Sequence, residues 1–171
     1  VKALVYSSNK VGYEFKILNA VTDVNEAQKV HLVNKIKRYY NNDLAGKHFA
    51  VWGMAFKPNT DDIREAPALE IIRELLSAGA TVSAFDPEAM DNVKAILGDQ
   101  INFAEGQYEC LESADALIVA TEWNEFRTPD FDKMLSSLKN AVIFDGRNVY
   151  DVEQMEKKGF HYESIGRPLV N

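Results

Sequence analysis

Apolar residues near the start of the chain recur in steps of three and four. Beyond residue 46 that spacing alternates with short unbroken apolar runs. Ala3, Leu4 and Val5 predict a short helix within Val1–Lys10, interrupted at Val11-Gly12-Tyr13. From Phe15 to Tyr40, the positions Ile17, Leu18, Val21, Val24, Gln28, Leu32, Ile36 and Tyr40 share one helical face, so the pattern predicts one long helix. Ala20, Ala27, Val30 and Val33 widen that face, which suits a helix with more than one neighbour. Packing inside its own domain is one reading. Sharing with another domain or subunit is the reading favoured, because the region that follows looks complete without it. Asn41-Asn42-Asp43 and Gly46 mark the boundary.

The remaining pattern alternates regularly. Strands are expected at His48–Ala55, Thr81–Phe85, Ile101–Phe103, Ala116–Thr121, Ala141–Asp145 and Phe160–Ile165. Helices are expected at Pro67–Ala78, Glu88–Leu97, Phe131–Leu138 and Val152–Lys158, with one or two helical turns in Tyr108–Ser113. Pro67 suits a first helical turn and Gly79 a helix stop. Strands separated by helices imply an α/β fold: a Rossmann-like, doubly wound, mainly parallel sheet of about six strands, preceded by the long helix. The chain divides into a helical region, 1–45, and an α/β domain, 46–171.

Composition narrows the function classes. The chain has 171 residues, 46% hydrophobic and 26% charged, with a formal net charge of −7. That balance argues against a general nucleic-acid or anionic-membrane surface, so an anionic ligand needs a local basic cluster. Cys110 is the one cysteine, which excludes an internal disulfide or a Cys-rich metal site. His31, His48 and His161 lack ligand spacing. No membrane-length run or signal pattern is present, and the expectation is a cytoplasmic chain with no membrane partner. It opens on Val1, which fits a processed chain, a fragment or an excised domain.

Ligands of such sheets sit outside the carboxyl ends of the strands. Three of those ends carry distinctive polar groups: Phe56-Lys57-Pro58-Asn59-Thr60-Asp61-Asp62-Ile63-Arg64, Thr121–Arg127 and Asp145-Gly146-Arg147-Asn148. About ten residues separate Phe56 from the next helix, so the tight glycine turn of dinucleotide folds is absent. Lys57 can offer a mobile charge to a phosphate, and Arg64 a flat fork. Asp61 and Asp62 suit orienting Arg64 or capping the helix. A solvated ion-pair loop fits the same pattern. Gly146 permits a tight turn that lets Arg147 reach inward, and an ordinary strand-end turn is the alternative. Trp123 and Phe126 can stack on a base, although packing on a neighbouring helix fits them better. Asp86-Pro87 reads as a turn more than as a ribose contact. Cys110, between Glu109 and Glu112, reads as structural because no basic neighbour would activate it.

Together these segments resemble the C-terminal half of the UDP-glucose/GDP-mannose dehydrogenase family. The carrying motifs are Gly53-Met54-Ala55-Phe56-Lys57, Thr60-Asp61-Asp62-Ile63-Arg64-Glu65, Ala84-Phe85-Asp86-Pro87, Thr121-Glu122-Trp123 with Glu125-Phe126, and Asp145-Gly146-Arg147-Asn148. The likeness covers essentially the whole chain. Thr121-Glu122-Trp123 and Asp145-Gly146-Arg147-Asn148 most resemble the branch acting on UDP-glucose, with the UDP-N-acetylmannosamine and GDP-mannose branches, or a non-catalytic nucleotide-binding module, as alternatives.

The resemblance implies a two-step oxidation of UDP-glucose to UDP-glucuronate, with two NAD molecules and a cysteine thiohemiacetal. It implies that Phe56, Lys57 and Arg147 contact the UDP-sugar. Arg64 would reach the cofactor NAD, which another domain mainly holds. The Phe15–Tyr40 helix would support a homodimer. The family's nucleophile, in a segment ending Cys-Phe-Pro-Lys-Asp, would fall before Val1, and Cys110 does not match it. No catalytic residue is therefore assigned, and the chain alone is expected to be inactive.

Overall fold

The computed structural model describes residues 1–170. Three helices come first: α1 (Lys2–Lys10), α2 (Lys16–Lys29) and α3 (His31–Tyr39). Then follow β1 (His48–Trp52), α4 (Pro67–Ser77), β2 (Thr81–Phe85), α5 (Met90–Leu97) and β3 (Asn102–Phe103). The chain continues through β4 (Ala116–Val119), α6 (Asn124–Arg127), α7 (Phe131–Ser137), β5 (Val142–Asp145), α8 (Val152–Lys157) and β6 (His161–Ser164). Gly98–Gln100 and Glu109–Leu111 form single 3-10 turns. None of the described helices is long and apolar enough to cross a membrane.

The expected α/β class is observed, and all six strands pair in parallel in the order β3-β2-β1-β4-β5-β6. One isolated antiparallel bridge, Tyr162–Val170, folds the chain's end back on β6. Strands β1, β4 and β5 are apolar along nearly their whole length because both of their faces are covered. Phe49 and Trp52, an odd number of positions apart on β1, point to opposite faces. Phe49 meets Tyr40 at the end of α3, edge to face, with ring centroids 5.6 Å apart. Trp52 stacks on Phe126 of α6 at 5.0 Å. Phe126 is therefore spent on packing, and Trp123 is buried.

The single helix expected from Phe15 to Tyr40 is instead two, parted by a turn at Val30, whose φ of −96° and ψ of −2° lie at the edge of the right-handed helical region. The halves have different environments. Leu32, Val33 and Ile36 of α3 are buried in the sheet's core, and Tyr39 meets Phe144 of β5 at 5.7 Å. No residue of α2 is buried, and Ile17 and Val24 are 74% and 62% exposed. A straight helix would keep all these residues on one stripe and could not serve both situations. Neither Gly nor Pro marks the break.

Gly53 closes β1 with φ +88°, and a Cβ there would lie 2.4 Å from the Cβ of Thr121. The loops after β1 and β4 thus touch through a position open only to glycine. Gly12, at φ +72°, has nothing within 4 Å of a built Cβ. Gly53→Ala combines a left-handed backbone with overpacking and should cost about 2–5 kcal/mol, against about 1–2 kcal/mol for the backbone alone in Gly12→Ala. Urea denaturation of both variants measures the difference.

Candidate functional site at the carboxyl edge of the sheet

The strand order reverses between β1 and β4, and in doubly wound folds that is where a ligand crevice opens. Here buried Asp86, directly after β2, draws its walls together. Its Oδ2 accepts the backbone N–H groups of Met54 (2.6 Å) and Ala55 (2.9 Å) and the indole N–H of Trp123 (3.1 Å). Its Oδ1 accepts the N–H groups of Glu88 and Ala89. Thr121 adds a 2.6 Å bond from its hydroxyl to the Ala55 carbonyl. The loops after β1, β2 and β4 are therefore held as one body.

A second buried aspartate organises the end of β5. Asp145 accepts the N–H groups of Arg147, Val149 and Tyr150 and the hydroxyl of Tyr162 (2.8 Å). Burial, reinforced by the Asp145 charge, pushes both tyrosine hydroxyls well above their ordinary range, so both stay protonated donors. A Cβ on Gly146 would come within 3.2 Å of the Leu32 side chain and the Val119 carbonyl, so glycine there admits α3 to the edge. Arg147 then turns its Nε and Nη2 onto the Glu122 carboxylate, a two-point pair with Nη2 at 2.9 Å. The guanidinium holds Glu122 below the usual carboxylate range.

The β1–α4 loop is built on Asp62. Phe56 donates its N–H to the Asp62 carbonyl at 2.8 Å, closing the loop. The Asp62 carboxylate takes the Arg64 backbone N–H, Nε and Nη2 at 2.8–3.0 Å, and this pairing lowers its pKa to about 2. Orientation of Arg64 by an aspartate is thus observed for Asp62. Neither aspartate caps α4, whose N-cap is Ala66, held extended by Pro67. Asp61 receives Asn92 of α5 instead. Glu65 follows with φ +59°, unusual for a residue with a side chain. Its carboxylate meets Lys29 (2.5 Å) and Lys2 (2.9 Å), which hold its pKa down to about 2.

Above this edge lies a pocket of about 710 Å³. Its floor carries Phe56, Ala120, Gly146, Arg147 and Ile165, and its roof carries α1 and α2, including Asn25, Gln28 and Lys29. Phe56, 48% exposed, and Arg147 thus line one space. Lys57 is exposed next to Phe56 but outside the pocket wall. Arg64 borders two smaller hollows of about 450 Å³ each, one of which shares Glu65, Lys2 and Lys29 with the pocket. Sequence reasoning did not find Glu122, Glu65 or the polar face of α2. Their partners lie 25 to 63 positions away, and only the folded chain brings them together.

No group of three potential metal ligands exists among the described residues. Cys110 is fully buried against the Ser83 carbonyl, and burial pushes its thiol up to about 12, which disfavours the thiolate that a nucleophile needs. Replacing Asp86 by Asn puts an amide N–H₂ where one set of N–H groups needs an acceptor. Asp86→Asn should cost on the order of 3 kcal/mol in chemical denaturation, since each orphaned buried donor carries its own desolvation penalty.

Comparison with known proteins shows the family. The profile described as UDP-glucose/GDP-mannose dehydrogenase family, UDP binding domain, matches residues 50–152. The UDP-glucose 6-dehydrogenase of Bacillus subtilis is 42% identical over 98% of this chain, and that of Rhizobium meliloti 39% over 97%. The solved UDP-glucose dehydrogenase of Pyrobaculum islandicum superposes on 94% of the chain with a TM-score of 0.79 at 33% identity. The matched stretch spans 36%, 38% and 34% of these three proteins respectively, a little over a third of each. The three loop motifs, the six-stranded parallel sheet and these likenesses over almost the whole chain agree, and the chain belongs to the UDP-glucose/GDP-mannose dehydrogenase family, in its UDP-binding, C-terminal part.

Proposed function

We propose that this chain supplies the UDP-sugar wall of an NAD-dependent UDP-glucose 6-dehydrogenase, an enzyme that oxidises UDP-glucose to UDP-glucuronate. The observation that carries this reading is the pocket over β1, β4 and β5, which faces the Phe56 ring and the Arg147 guanidinium into one space. The exposed ring offers an apolar face to a sugar or a base. Arg147 is already half-neutralised by Glu122, and its Nη1 makes no hydrogen bond among the described residues. It therefore suits a directed contact with a sugar hydroxyl or one phosphate oxygen. Lys57 is assigned to the diphosphate, reaching over the rim on its flexible stem. Asn25 and Gln28 of α2 provide neutral amides suited to hydroxyl groups.

The same residues do not fit NAD as a resident group. The space next to Gly53 is filled by Thr121, no glycine-rich turn precedes α4, and the acid at the end of β2 is consumed by N–H donors. No hydride or covalent step is therefore assigned to residues of this chain. Arg64, on the outer side of the loop, is assigned a single contact from the cofactor's side of the cleft. The cytoplasmic location expected from the sequence belongs to this proposal as well.

The exposed stripe Ile17, Val21 and Val24 on α2 supports a homodimer through the Phe15–Tyr40 segment. The contact is assigned to α2, since the apolar residues of α3 are buried within the chain.

Isothermal titration with UDP-glucose tests the pocket. Arg147→Ala and Lys57→Ala should each weaken binding roughly 10- to 100-fold, the value of one charge-assisted contact. Unchanged affinity in both variants would remove these residues from the site. In sedimentation velocity, the double variant Ile17→Asp/Val24→Asp should run as a monomer at concentrations where the parent chain dimerises. Parent and variant running alike contradicts the α2 contact.

A further inference from the structure

The pocket is a cleft between two bodies. Helices α1 and α2 lie on one side, and the sheet edge with its loops lies on the other. The two bodies differ in how they are held. Nothing from residues 1–31 belongs to the hydrophobic core, and the core contribution of the helical segment starts at Leu32. Val30 is the single turn residue that joins α2 to α3 and interrupts the helix between them. Among the described residues, every side-chain hydrogen bond and ion pair from residues 1–29 to the sheet-bearing part ends on one group, the Glu65 carboxylate.

That carboxylate receives Lys2 from α1 at 2.9 Å and Lys29 from α2 at 2.5 Å. Glu26 closes the ring, meeting Lys2 at 2.9 Å and Lys29 at 3.1 Å. The ring lines both the large pocket and the hollow that holds Arg64, so it is the wall between them. Glu65 reaches it through a left-handed backbone, at the end of the loop that Asp62 locks between Phe56 and Arg64. Its position is thus rigid on one side and electrostatic on the other. Lys2, Glu26 and Glu65 are about half exposed and Lys29 is 15% exposed, and ion pairs at such a surface are individually weak and are screened by salt. A fastening made of them can open without unfolding anything else.

We propose that Glu65, with Lys2, Lys29 and Glu26, is an ion-pair clasp that closes α1–α2 onto the sheet edge about a hinge at Val30, and so positions both walls of the UDP-sugar pocket. Glu65 is a positioning residue here, since it acts through the helices and not on the ligand. The ligand part rests on the function proposed above, whereas the clasp itself stands on the unliganded chain.

Hydrogen exchange by mass spectrometry tests it, on the parent chain, Glu65→Asn and Lys29→Met. Asn tolerates the left-handed backbone, so Glu65→Asn removes the charge without adding strain. Without ligand, both variants should raise exchange in α1 and α2 by about three- to tenfold, with β1, β4, β5 and α3 unchanged. Salt at about 1 M should do the same to the parent and add nothing to Glu65→Asn. Unchanged exchange in α1–α2, or an equal rise in the strands, would overturn the clasp. UDP-glucose titration then reads the positioning role: affinity should fall about fivefold or more in Glu65→Asn, in step with the opening. Open helices with unaltered affinity would overturn positioning. A parent chain that binds no UDP-glucose would count against the proposed function and leave the exchange result to decide the clasp.

Discussion

Asp86 is the group on which the carboxyl edge depends. A carboxylate placed just beyond β2 and shut away from water accepts five N–H donors drawn from three loops. Burying that charge is tolerable only because every lone-pair direction is answered. The result is a fixed rim: the β1 loop cannot drift from the β4 loop, Gly53 and Thr121 stay in contact, and Phe56 and Arg147 hold their separation across the pocket. Asp145 repeats the device on the far side of β4, where it also gathers Tyr162 and the Arg147 backbone. Two buried acids thus make a stiff platform from loops that would otherwise be mobile.

The helical segment shows the opposite physics. Only α3 shares the core, through Leu32, Val33 and Ile36, whereas α2 contributes no buried residue. The pocket therefore has one hard wall and one soft wall. The soft wall here is amide-bearing and fastened by charge, and its outer surface is apolar.

Much of this was legible from residue order. Strand β2 falls at Thr81–Phe85 as the apolar run predicted, and Pro67 and Gly79 bracket α4 as helix punctuation should. Those signals are local, and local rules read them. The helix break at Val30 left no mark because a β-branched residue without Gly or Pro beside it is compatible with either outcome. Periodicity alone cannot tell a stripe buried in the chain's own core from one left exposed. Helix α6, four residues long, is too short to show a period. At the candidate site, Arg147 was visible because strand ends converge in this topology, and Phe56 through the family resemblance. Glu122 and Glu65 were not, since an ion pair across 25 or more positions has no sequence signature. Asp86 could be read as a turn former, which is correct, but the number of donors it collects is a property of the fold.

The most direct measurement is an NMR titration of the ¹⁵N-labelled chain with UDP-glucose. If the carboxyl-edge pocket is the binding site, the amides of Phe56, Gly146, Arg147 and Ile165 and those of Asn25 and Gln28 should shift together and saturate at one concentration. Shifts confined to the shelf around Arg64 and Asn92, or to the amino ends of the strands, would contradict the assignment of this pocket to the nucleotide sugar.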